Sequence, residues 1–219
     1  MARAARQHLN REVVLRAALA LVDREGVEAL SMRRLGRELG VEAMSLYNHV
    51  AGKQALLDGI VELVLSQARA PAPRGEWRAA LTGWAAAFRA SAHEHPNVIR
   101  LFATHALQAP AWSLAVEDQL RALREAGFPD DEAVHAYRLV ATFVTGYALH
   151  ELRQDASPPL EHFLAQLPPE HYPHTHAVSS ALRELDRTAE FELGVQLLLD
   201  AVGARLPAGP RRRRGGAAP

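Results

Sequence analysis

Along almost the whole chain, apolar positions recur every third or fourth residue, and runs that alternate with period two are missing. The first stripe, Val13, Val14, Ala17 and Leu21, predicts a helix from about Asn10 to Glu25 that stops at Gly26. Ser31 is a good N-cap for a short helix through Leu39, closed by Gly40. A second short helix follows over 42–49. Gly52 then breaks the chain before a long apolar helix from Lys53 to about Ala70. PAPRG at 71–75 punctuates the pattern, and further helices are expected at 76–94, 97–107, 111–126, 130–154 and 188–206. Residues 155–187, with two Pro pairs and the run EHYPHTH, read as a loop with room for a helix at 177–186. The expected fold class is all-α, a three-helix head followed by a larger helical body.

Composition narrows the setting. Hydrophobic residues at 48% and charged residues at 23% are ordinary for a globular protein with a sizeable core. No cysteine is present, which removes a disulfide framework, a thiolate zinc site and a catalytic thiol. The basic N-terminus lacks the apolar stretch of a signal peptide. The longest apolar run, LVATFVTGYAL at 139–149, is about half of the ~20 residues a bilayer requires. A cytoplasmic protein without membrane contact is the expectation. No HExxH, GxSxG or glycine-rich phosphate loop occurs, so the chain is not expected to be an enzyme, and no cofactor is expected.

Net charge is zero, but unevenly distributed. Residues 1–55 carry nine basic groups against six acidic ones. Residues 56–210 carry twelve against nineteen, and RRRR at 211–214 restores the balance. A basic head on an acidic body points an anionic partner at the head. Arg3 and Arg6 form a basic arm before the first helix, placed to follow a nucleic-acid backbone or minor groove.

Residues 31–49 have the layout of a helix-turn-helix: a capped short helix, a Gly-containing turn and a second short helix. Leu35, Leu39, Val41 and Leu46 have the spacing to seal both helices against the first. Ala43, Met44, Ser45, Asn48 and His49 then share the outward side, where small side chains permit close approach to a major groove and polar ones meet base edges. Arg33 is placed to reach a guanine or a phosphate. Tyr47 can both pack and offer its hydroxyl to a phosphate. Lys53, the only lysine, begins the next helix and adds charge to free backbone N–H groups. The expected partner is double-stranded DNA.

The stretch SMRRLGRELGVEAMSLYNHVAGKQALLDGI (31–60) closely resembles the DNA-binding head of tetracycline-repressor (TetR) family regulators, with Gly36 where Ala is usual. WRAALTGWAAAFR (77–89), EDQLRALREAGF (117–128), AYRLVATFVTGYALHE (136–151) and FELGVQLLLDAVGARL (191–206) resemble the body of the tetracycline repressor's own subclass. The resemblance implies a homodimer that binds a palindromic operator and is released by a small-molecule effector. It also implies a DNA-binding domain at 1–55, an effector-binding and dimerisation domain at 56–206, and a basic tail at 207–219, expected to be disordered from its composition. The dimer helices would pack through Val140, Phe143, Val144, Tyr147, Leu193, Leu197 and Leu198.

Aromatic and polar residues of the body, Trp84, Phe88, Phe102, His105, Gln119, Tyr137 and His150, with Trp112 and Tyr147 beside them, are the candidates for an effector pocket. By the resemblance, Phe88 and Gln119 keep residue types that touch the drug. Phe102 and His150 replace a magnesium-binding histidine and an acidic residue, and Trp84 replaces an Asn. A largely apolar or aromatic effector without a metal is therefore expected. His171, His174 and His176 are read as solvated loop histidines rather than a metal site, and His93 and His95 are read as no metal site either, since i, i+2 spacing points their rings to different sides of a helix. The alternative is a helical small-molecule-binding or interaction module that does not read DNA.

Overall fold

The computed structural model describes residues 9–68, 75–104, 110–154 and 163–206, and every regular element among them is helical. In chain order these are α1 (Arg11–Glu25), α2 (Met32–Leu39), α3 (Ala43–Leu46), α4 (Lys53–Gln67), α5 (Trp77–Glu94) and α6 (Pro96–Thr104). They are followed by α7 (Pro110–Glu125), α8 (Asp130–Gln154), α9 (Pro173–Ala177), α10 (Ser179–Arg183) and α11 (Arg187–Gly203). A single 3-10 turn, Val27–Ala29, lies between α1 and α2. The basic arm with Arg3 and Arg6, His105 and the run 211–214 lie outside the described residues.

The chain divides into two compact units. One comprises residues up to Ala70 with Ala86–Val116, the other Pro71–Ala85 with Glu117 onward. The expected boundary at residue 55 falls inside α4. That helix is continuous and packs on α1 and α6, so the first unit runs past it.

Helix ends in the first unit follow the caps. The Asn10 side chain accepts from the Val13 N–H at 2.9 Å, and Ser31 Oγ accepts from the Arg34 N–H at 3.2 Å. Each such cap stabilises its helix by about 1 kcal/mol. Gly40 ends α2 with φ +66°, a left-handed conformation that glycine adopts without a Cβ clash. The expected second short helix is shorter than 42–49. After Leu46, Tyr47 and His49 donate to Met44 and Leu46 three residues back, so the chain tightens into turns.

Burial explains the packing. Leu15, Leu21 and Val22 of α1, Leu35 of α2, Leu46 of α3, and Leu56 and Ile60 of α4 are buried. Each contributes about 1.5–3 kcal/mol of apolar burial. Leu39 and Val41 are only half-buried, so Leu35 and Leu46 are the residues that close the head.

In the second unit α8 packs along α11. Helix α8 buries Ala133, Ala136, Val140, Val144 and Ala148, while α11 buries Phe191, Val195, Leu199 and Val202. Gly194 lies against the Phe143 ring, which a Cβ there would overlap. Asp186 caps α11 by accepting from the N–H groups of Thr188 and Ala189. Of the helix expected at 177–186, only Ser179–Arg183 forms, as the single-turn α10, and a separate turn, α9, precedes it over Pro173–Ala177.

Candidate functional site

The loop between α2 and α3 is set by one close approach. A Cβ on Gly36 would stand 2.9 Å from the Val41 carbonyl oxygen and 3.3 Å from the Ala43 nitrogen. The Val41 N–H also donates to the Gly36 carbonyl at 2.9 Å. Glycine inside a helix costs roughly 1 kcal/mol against alanine. Here it lets the start of α3 sit directly on α2.

With Leu46 fully buried, the rest of α3 and its turn face outward. Met44 is 74% exposed and Tyr47 48% exposed. Asn48 is also exposed, while Ala43, Ser45 and His49 are half-buried. Arg33 is exposed on α2 and shares an i, i+4 row with Arg37. Lys53 is exposed at the first residue of α4, whose N-cap Gly52 offers no side-chain acceptor to the free N–H groups. A positive helix end with a lysine on it favours an anion.

Arg24, Arg34, Glu25 and Glu38, by contrast, are spent on one another. Arg34 bonds Glu38 at 2.7 Å and Glu25 at 2.6 Å, and Arg24 bonds both carboxylates at 3.1 Å. The hydrogen bonds from Arg34 hold the Glu25 and Glu38 carboxyls below their ordinary range, and Glu38, then Glu25, raises Arg34 in turn. This four-membered box ties α2 to the end of α1. Arg33, Arg37 and Lys53 make no ion pair among the described residues. Sequence reasoning passed over Arg37, although its spacing from Arg33 was the available signal.

Sequence candidates for the effector are placed less uniformly. Trp84 and Gln119 are buried in the second unit, and Phe88 is fully buried in the first, where Phe102 packs on it edge-on at 6.2 Å between centroids. Tyr137 is half-buried, and that burial raises its hydroxyl above the ordinary value. His150 is exposed and lies 3.2 Å from the Arg153 guanidinium. The rotation of α8 turns Glu151 inward instead, and Glu151 is among the largest fully buried side chains. No periodicity argument selected it, since an acidic residue beside histidine reads as surface. A separate cleft of about 210 Å³ opens beside Phe128, Leu139 and His135, and none of the expected effector residues lines it.

The proposed dimer residues divide in two. Leu193 and Leu197 are 54% and 60% exposed, and Leu198 is half-buried. Val140 and Val144 are a correction. Both are fully buried within the chain, because α8 turns them into the stripe that α11 covers. Phe143 stacks on Phe191 at 6.0 Å, and the Tyr147 hydroxyl lies 2.8 Å from the Arg187 carbonyl and 2.7 Å from Glu190. Both also serve the α8–α11 contact inside one chain. Among the described residues, no group of three or more His, Asp or Glu side chains is arranged to hold a metal ion. His95 is buried and its Nδ1 lies 2.9 Å from Asp23, a contact that the spacing of the histidines did not indicate.

A capped α2, a tight glycine-bearing turn and an outward α3 define a helix-turn-helix DNA-binding protein with a helical body. The comparisons take this further. Residues 14–60 match the family described as bacterial regulatory proteins, tetR family, and residues 70–206 match the tetracyclin repressor-like C-terminal domain. The chain belongs to the TetR family of bacterial transcriptional regulators, ligand-responsive proteins that bind DNA. It is 32% identical over 200 residues to the class A tetracycline repressor protein from transposon 1721 of Escherichia coli, covering 90% of this chain and 92% of that one. It is 36% identical over 143 residues to the repressor DrrR1 of Streptomyces coeruleorubidus, covering 64% of this chain and 53% of that one. The structure of ActR from Streptomyces coelicolor in complex with actinorhodin superposes with a TM-score of 0.77 at 27% identity, covering 92% of this chain and all of ActR. No helix among the described residues is long and apolar enough to cross a membrane.

Proposed function

We propose that the chain is a homodimeric repressor, binding a palindromic operator through α2 and α3 and released by a small organic effector. The observation that carries the DNA half is the outward surface of the head. Met44, Tyr47 and Asn48 are exposed there, and Arg33, Arg37 and Lys53 are not neutralised by any described carboxylate. Arg33 and Lys53 contact phosphate or guanine, and Ala43, Met44, Ser45, Tyr47, Asn48 and His49 meet the groove. The exposed leucines of α11 support a second copy of the chain as the partner of the body.

For the effector, Trp84 and Gln119, both buried in the second unit, support an aromatic, largely apolar molecule, and ActR has been seen in complex with actinorhodin. An effector acts only through its different affinity for the DNA-bound and free states. The test is selection of bound fragments from a random duplex library at near-physiological salt. The expected product is a palindrome with half-sites about one helical turn apart. A folded, dimeric protein that enriches no sequence would leave a helical binding module instead.

A further inference from the structure

Met44 has the highest exposure, 74%, of the exposed large apolar side chains among the described residues. A single exposed apolar residue is commonplace on a protein surface. The placement of this one is not. It projects from α3 between half-buried Ala43 and Ser45, with Leu46 fully buried below, so it is the only long side chain of that helix directed to solvent. On α2 and at the first residue of α4, the exposed Arg33, Arg37 and Lys53 make no ion pair among the described residues. A thioether on an unbranched chain has no donor and only a weak acceptor, so it cannot read the hydrogen-bond pattern of a base edge. The major groove offers one apolar feature that distinguishes bases, the C5-methyl group of thymine.

We propose that Met44 is a specificity-determining residue that packs on a thymine methyl group in each operator half-site. The half-site then carries an A·T pair at the position facing α3. This rests on the DNA reading above and adds the identity of one base. Removing the methyl group alone leaves every hydrogen bond of the pair intact, so the contact can be isolated chemically.

The experiment uses the full chain and the duplex recovered from the random library, with each thymine of one half-site replaced in turn by deoxyuridine. At one position the wild-type protein is expected to lose about fourfold in affinity, the factor that burial of one methyl-sized group gives. Met44→Ala is expected to lose less than about twofold at that same position, having already lost the contact. It should respond like wild type at every other thymine. Its melting temperature should be unchanged, because the side chain is mostly in solvent. A flat deoxyuridine scan overturns the inference while the operator itself stands. So does a methyl effect that persists undiminished in Met44→Ala. Failure of the library to yield any sequence overturns the DNA reading and this inference together.

Discussion

In the first unit Arg33, Arg37 and Lys53 are exposed cations with no ion pair among the described residues, beside a box in which Arg24, Arg34, Glu25 and Glu38 satisfy one another. In the second unit the open surface along α8 and α11 is apolar, with Leu139, Leu193 and Leu197 each more than half exposed. One surface suits a polyanion and the other suits a copy of itself. Their salt responses should be opposite in kind. Binding at the head releases counterions and weakens as salt rises, while apolar burial at the body does not.

The largest effect should come from reversing the head's charge. Arg33→Glu combined with Lys53→Glu is expected to lower operator affinity about 100-fold or more and to flatten the salt dependence. Denaturation midpoints should stay near wild type, since both residues are exposed. Fluorescence anisotropy across a salt series reads both quantities. The matching change in the body is Leu197→Glu, expected to shift the dimer toward monomer by about tenfold or more with helicity retained, as sedimentation would report. Val144→Ala should instead lower unfolding stability by about 2 kcal/mol, because that residue is fully buried within the chain. If Val144→Ala dissociates the dimer without loss of stability, the division drawn between those two sets of residues is wrong.

Smaller effects sharpen the picture of the head. Gly36→Ala should lower stability by about 1–3 kcal/mol, since the clash is with the backbone of Val41 and cannot be relieved by a rotamer change. A stabilised Gly36→Ala protein would show that the α2–α3 turn is looser than its geometry. The smallest effect concerns acid. Glu25 and Glu38 are held below their ordinary value of 4.5 by Arg34, so their contribution is present above that pH and fades as pH falls through the lowered folded values. Wild type should exceed Arg34→Met in melting temperature at pH 7, and the gap should close as pH falls from 4.5 through the lowered folded values.

The head was legible because its signals are local. Asn10, Ser31 and Gly40 act within a turn of their own position, and Leu35 and Leu46 needed only helical spacing to be placed inside. The extent of α3 was not legible, since its last residues choose between i, i+4 and i, i+3 bonds that differ little in energy. In the body, spacing found the helices α8 and α11 but not their rotation. Val140 and Leu193 belong to equally apolar runs, and only the packing of α8 on α11 decides that the first is buried and the second is not. The same rotation exposes His150 and buries Glu151. Arg34 and Arg37 look alike in sequence, and the carboxylates that distinguish them come from two helices.

The closed box of Arg24, Arg34, Glu25 and Glu38 also bears on kinetics. Charges cancelled at short range contribute little field a Debye length away, about 8 Å in physiological salt. The head's distant potential is therefore shaped by the charges outside the box, with the cations Arg33, Arg37 and Lys53 among them. A DNA molecule approaching by diffusion meets a torque that turns those cations toward it before any contact forms. Opening the box by neutralising Glu25 and Glu38 would leave two more arginines broadcasting from the junction of α1 and α2. Encounters would become more frequent but less well oriented, with a faster association to arbitrary duplex and a smaller advantage for the operator.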